Sequence, residues 1–136
     1  MKEIYSPDRI AEMIMTIDPD FYLPSDEQRP IISIDTNPLE PAVVIAGAGS
    51  GKTETMAARV VYLVANQFAR PDQILGLTFT RKAAGELNTR IRKRLRQFQQ
   101  AQDKAGIERT FSSLETAVTT YHSYAGRLLS EHAIRY

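Results

Sequence analysis

The stretch "AVVIAGAGSGKTETMAARVVYLVA", residues 42–65, constrains the fold more than any other part of this 136-residue chain. An apolar, β-branched run (Ala42 to Ala46) reads as a buried parallel strand. Glycines follow at positions 47, 49 and 51, and then apolar residues recur at helical spacing: Met56, Val60, Leu63 and Val64. A strand, a glycine turn and a helix in that order build a loop that cradles phosphate. Glycines let successive backbone N–H groups point into one concavity. The helix adds its unsatisfied N–H groups and the positive end of its dipole. The expected phosphate-binding residues are Ala46, Gly47, Ala48, Gly49, Ser50, Gly51, Lys52 and Thr53. Lys52 is placed to reach the β- and γ-phosphates, and the Thr53 hydroxyl to bind Mg²⁺. Ala46 stands where the usual pattern begins with glycine.

The same alternation continues downstream. "ILGLTFT", 74–80, is a second apolar strand. Residues 81–98 return to helix, with Ala84, Leu87, Ile91 and Leu95 on one stripe. The polar, glutamine-rich "QQAQDKAGIERTFSS" reads as frayed helix and loop, "TAVTTY" as a third strand, and "SYAGRLLSEHAIR" as a last helix. Strands alternating with helices predict a parallel sheet flanked by helices, an α/β domain. Upstream, Ser6 before Pro7 predicts the start of a helix over 7–16. Ser25 with Gln28 three positions on forms a capping box for a second helix that Pro30 keeps short.

Charge divides the chain. Residues 1–40 hold three basic and nine acidic side chains, whereas residues 41–136 hold fourteen and seven. Between Arg81 and Arg96 there are seven basic residues and one acid, Glu86. Such a cluster suits a polyanion, or else a solvated helix face. There is no cysteine, which excludes disulfides and thiolate metal sites and fits a cytoplasmic protein. No apolar run approaches the roughly 18 to 20 residues of a membrane span, and the N-terminus lacks a signal-peptide pattern.

Four segments taken together carry a family likeness. "LPSDEQ", "AGAGSGKT", "ILGLTFTRKAAGELNTRI" and "TTYHSYAGRLL" stand in the order of the signature motifs of UvrD/Rep-type superfamily 1 DNA helicases, and they span residues 23–129. The chain thus resembles the N-terminal part of that family's first motor domain. The resemblance implies a RecA-like P-loop NTPase fold, incomplete within 1–136. Residues 1–40 would be acidic N-terminal helices with the glutamine motif, and 41–136 would carry the phosphate loop and DNA-contacting motifs. It implies ATP and Mg²⁺ as cofactors. The expected activity is ATP-driven 3′-to-5′ DNA translocation and strand separation in repair or recombination. Expected partners are single-stranded DNA, single/double-strand junctions, the rest of the motor domains, and a partner helicase or nuclease subunit.

Residue by residue, the family assigns its motif glutamine to adenine, and Gln28 has an amide that can donate to N7 and accept from the N6 amino group. As read from the residues, Gln28 is also the capping-box glutamine. Thr78, Phe79, Thr80, Arg81 and Lys82 match the motif that meets single-stranded DNA. Phe79 there is a base-stacking face, or by alternation a core residue. Arg81 replaces the asparagine common at that position. Thr120, Tyr121 and His122 match a second DNA-track motif, with Tyr121 in place of phenylalanine. His122 reads as a hydrogen-bonded loop histidine and not an acid–base catalyst, and His132 is assigned no role.

Glu54 departs from the arginine that many relatives carry after the loop threonine. A carboxylate there suits the positive end of a helix dipole. The pattern "GKTETMAARVV" resembles more nearly the actinobacterial-like helicase–nuclease subunits of this family. No carboxylate downstream of Thr53 ends an apolar strand, so the second acidic motif that ATP hydrolysis requires is expected to lie outside this sequence, and the isolated piece to be nearly inactive. A non-translocating nucleotide-binding regulatory or structural module is the alternative from another class. A compact phosphate-loop kinase fits poorly, because no arginine-rich lid is present.

Overall fold

Helix α1 (Pro7–Met15) begins where the Ser6–Pro7 pair predicts, with the Ser6 hydroxyl accepting from the Arg9 amide at 3.1 Å. A computed structural model describes residues 2–34, 42–45 and 50–135 of the chain. Helix α2 is only five residues long (Gln28–Ile32). Its capping box is complete: the Ser25 hydroxyl accepts from the Gln28 amide, and the Gln28 carbonyl oxygen accepts from the Ser25 amide.

Strand β1 (Ala42–Ile45), helix α3 (Ser50–Ala65), strand β2 (Ile74–Thr78), helix α4 (Arg81–Lys104), strand β3 (Ala117–Thr120) and helix α5 (Tyr121–Arg135) follow in the expected alternation. The strands form one parallel sheet in the order β1-β2-β3. Its register pairs Ile45 with Leu77 and Thr78 with Thr120, so the carboxyl ends of all three strands align along one edge. At the centre, Gly76 brings β2 close to its neighbours: a methyl there would lie 3.2 Å from Val118 and 3.4 Å from Leu87.

The core gathers where α1, α3 and α4 meet. Leu87, Ile91 and Leu95 of α4 are buried as predicted, while Ala84 is only half-buried. On α3, Val60, Leu63 and Val64 are buried together with Ala57 and Val61, which lie beside the predicted stripe; Met56 is half-buried. Two element ends differ from expectation. Strand β2 stops at Thr78, because the Thr80 hydroxyl takes up the Ala83 amide and caps α4. Helix α4 does not fray near residue 98 but continues to Lys104. Phe98 and Ala101 extend the buried stripe, and Phe98 packs edge-on against Tyr5 and face-on against Phe111. Two glutamines of this stretch are structural: Gln99 donates to the Phe111 carbonyl and Gln102 to the Thr110 hydroxyl.

Helices α3 and α4 end alike, with a left-handed residue and a hydrogen bond reaching five residues back. In α4 that residue is Gly106 (φ 69°), and the Ile107 amide donates to Gln102. In α3 it is Gln67 (φ 62°), and the Phe68 amide donates to Leu63. Beside Gln67, buried Asn66 secures the N-terminal segment. Its carbonyl oxygen accepts from the amides of Ile4 and Tyr5, and its NH₂ donates to the carbonyls of Tyr5 and Tyr62. No helix among the described residues is long and apolar enough to cross a membrane.

Candidate nucleotide and nucleic-acid site

Of the expected phosphate loop, Ala46, Gly47, Ala48 and Gly49 lie outside the described residues. Ser50 and Gly51 open α3, which starts two residues ahead of Lys52. Lys52 is exposed on the first turn and Thr53 is half-buried. Both therefore stand at the helix end whose free N–H groups and dipole favour an anion.

Gln28 sits against this turn. Its Nε2 donates to the Thr55 hydroxyl at 2.9 Å, while its Oε1 holds the capping box. The capping reading of Gln28 is thus correct. An amide carries two N–H donors and two acceptor lone pairs. One of each is used in these bonds, leaving one of each for a ligand. Gln28 also lines a mostly apolar cleft with Phe21, Tyr22, Pro24, Thr55 and Ala58.

The second group of predicted residues lies at the ends of β2 and β3. Phe79 is 68% exposed, so it is not a core residue. Its ring lies 5.3 Å from that of Tyr121, tilted by 33°. Two aromatic faces thus stand side by side at the sheet edge. Thr80 presents the start of α4, and Arg81, Lys82 and His122 are exposed around it. Thr78 is different. It is 1% exposed, and its hydroxyl donates to the carbonyls of Thr80 and, at 3.4 Å, Thr119. The Thr78 side chain was expected to offer its hydroxyl to phosphate; in the structure it faces inward and ties the ends of β2 and β3 together. Thr120 is also buried, and its oxygen accepts from the Ser123 amide at the start of α5. It too shapes the platform from beneath.

The UvrD/REP helicase N-terminal domain family matches residues 25–136. The chain belongs to this family. It is 46% identical over 74 residues to DNA helicase IV of Escherichia coli (strain K12), covering 46% of this chain and 11% of that protein. It is 36% identical over 93 residues to the ATP-dependent DNA helicase UvrD1 of Mycobacterium leprae, covering 68% and 10%. It is 37% identical over 94 residues to the ATP-dependent DNA helicase PcrA of Bacillus subtilis, covering 57% and 13%. The matches thus span 10 to 13% of the length of these three relatives.

Within this UvrD/REP-type domain, one cluster was not foreseen. Glu54 does more than face a helix dipole. Its carboxylate pairs with Arg94 at 2.8 Å and with Arg90, both on α4. Arg94 further reaches Asp18 at 3.1 Å and Gln97 at 2.8 Å, and its guanidinium lies 4.3 Å from the ring centre of Phe21. Burial pushes the Asp18 carboxyl upward. The hydrogen bond from Arg94, with those from the Asp20 amide and Gln97, outweighs this and holds it below the ordinary value. The basic run of α4 is therefore divided. Arg90, Arg92 and Arg94 pair with Glu54, Glu115 and Asp18, while Arg81, Lys82, Lys93 and Arg96 are exposed to solvent. The signal in the sequence was the i, i+4 pair of arginines opposite an unusual Glu54.

Proposed function

We propose that this chain forms the N-terminal part of a RecA-like, P-loop motor domain in an ATP-driven DNA helicase. It would supply the nucleotide grip and part of the single-strand track. One observation carries the reading. The aligned carboxyl ends of β1, β2 and β3 put Ile45, which precedes the phosphate-loop segment in sequence, on the same sheet edge as the Phe79–Tyr121 pair. In parallel α/β sheets that edge is where ligands bind.

The residues present fit ATP with Mg²⁺. Lys52 offers a cation and Thr53 a hydroxyl on one helix turn, and Gln28 keeps one donor and one acceptor for a purine edge. Bound Mg²⁺ would neutralise phosphate charge there. On the DNA side, Phe79 and Tyr121 offer stacking faces that any base can use. Arg81 and Lys82 offer charge to the sugar–phosphate backbone. The relatives' names include ATP-dependent DNA helicases, and translocation from 3′ to 5′ in repair or recombination is the matching proposal here. Single/double-strand junctions are the expected substrate.

The test is unwinding by the full-length protein of duplexes carrying a 3′ or a 5′ single-stranded tail. ATP-dependent unwinding of the 3′-tailed duplex alone is the expected result. Nucleotide binding with neither unwinding nor preference for single strands would instead identify a non-translocating module.

A further inference from the structure

The first turn of α3 carries two kinds of residue. Lys52 and Thr53 face the proposed nucleotide, and this inference rests on that reading. Glu54 and Thr55, one step further on, are tied to the protein from two sides. Thr55 accepts the Gln28 amide. Glu54 lies against α4 with its side chain 12% exposed, beside Arg94 at 9%. Successive helical side chains diverge by about 100°, so a turn that aims Thr53 at a ligand aims Glu54 elsewhere.

Arg94 is itself fixed. Its Nε meets Glu54, its Nη1 meets Asp18 and Gln97, and its face covers Phe21. A planar guanidinium held by that many partners has one orientation, which an ammonium in its place would not reproduce. Glu54 therefore grips a fixed point on α4. That point also braces Asp18 and Phe21, which belong to the connection leading to Gln28. A shift of the first turn of α3 would have to break a charge pair shielded from solvent, leaving Arg94 with Asp18 as its only carboxylate.

We propose that Glu54 is a positioning residue for the nucleotide. Through Arg94 and Arg90 it holds the Lys52–Thr53 turn in the orientation that receives the triphosphate. Simultaneously, Arg94 holds the segment that presents Gln28. The grip thus runs from α4, whose first residues flank Phe79, to the turn that binds phosphate.

The test uses the full-length protein, a fluorescent ATP analogue with Mg²⁺, and thermal melting. Glu54→Gln should weaken analogue binding about tenfold, as loss of a supporting partner commonly does. Arg94→Gln should weaken it as much, and the double variant should be no worse than the weaker single, because the two act as one unit. Arg94→Lys should not restore binding. Affinity for a single-stranded oligonucleotide without nucleotide should stay within about twofold of wild type, as for sites that share no partner.

Unchanged nucleotide affinity with a lowered Tm would reduce the pair to a strut and overturn the proposal. If Arg94→Gln does not fold, Arg90→Gln removes a 41%-exposed partner of Glu54 without opening the core. It should weaken analogue binding by roughly two- to threefold, and no change would again overturn the proposal. The two readings fail differently. If Lys52→Ala abolishes analogue binding and Glu54→Gln leaves it intact, only the positioning role falls. If the wild-type protein binds no ATP, both fall.

Discussion

The turn that would hold phosphate and the platform that would meet DNA share one sheet edge but are built in opposite ways. Around α3 the side chains are engaged: Gln28 on Thr55, Glu54 on two arginines, Arg94 on four partners. At the platform the supporting groups are buried, Phe79 is exposed and Tyr121 half-buried. Thr78 and Thr120 lock the strand ends from below, and Phe79 projects into solvent above them. The contrast follows from the ligands each would serve. A triphosphate on Mg²⁺ needs donors fixed to a fraction of an ångström. Successive bases of a moving strand need flat faces that accept any of them.

That contrast can be broken by experiment. The largest effect should come from Lys52→Ala, which should abolish ATP hydrolysis by the full-length protein while single-strand binding, read by anisotropy, persists. Loss of strand binding would show that the two regions are not separable. Next, Phe79→Ala should weaken single-strand binding by about 1–3 kcal/mol with Tm unchanged, because the ring is exposed. A fall in Tm with intact binding would make Phe79 a packing residue after all. Thr80→Ala should cost about 1 kcal/mol of stability through loss of the α4 cap, visible in denaturant melts. Unchanged melts would show that the cap does not hold the platform.

The smallest effect should appear in acid. Asp18 is held below its ordinary value by Arg94, and Asp103, chiefly by its hydrogen bond from Arg109, is lowered too. A carboxylate with a depressed folded pKa contributes stability that is present above the unfolded value, about 3.9. That stability is lost as pH falls through the lower folded value. Thermal melts should therefore decline from about pH 4 downward, and Asp18→Asn should flatten part of that decline. An unchanged pH profile in Asp18→Asn would remove the acid-sensitive support assigned to the engaged region.

The strands and the helix starts were legible because they depend on neighbours in sequence. The apolar run of β1, the Ser6–Pro7 start and the Ser25–Gln28 box each declare themselves within a few residues. The second half of α4 was not legible, because Gln99 and Gln102 are polar letters in buried places. They become structural only when Thr110 and Phe111 return to meet them. Glu54 was read as a partner for its own helix end for the same reason. Its partner Arg94 is 40 residues away, and Arg94 in turn meets Asp18 across 76 residues. Thr78 and Phe79 were named together as contacts, yet Thr78 is the buried last residue of β2 and Phe79, one step past the strand, is exposed. The exposure of Phe79 rules out its core alternative.

The Asn66 clamp has a practical consequence for labelling. Because it stitches Ile4 and Tyr5 to the last turn of α3, these residues lie beside the end of that helix remote from Lys52. Sixteen helical residues span about 24 Å. A fluorophore attached at Lys2 would therefore stand far from the first turn of α3. Removing Ile4 and Tyr5 would leave the buried Asn66 amide with one of its four hydrogen bonds, the one to Tyr62.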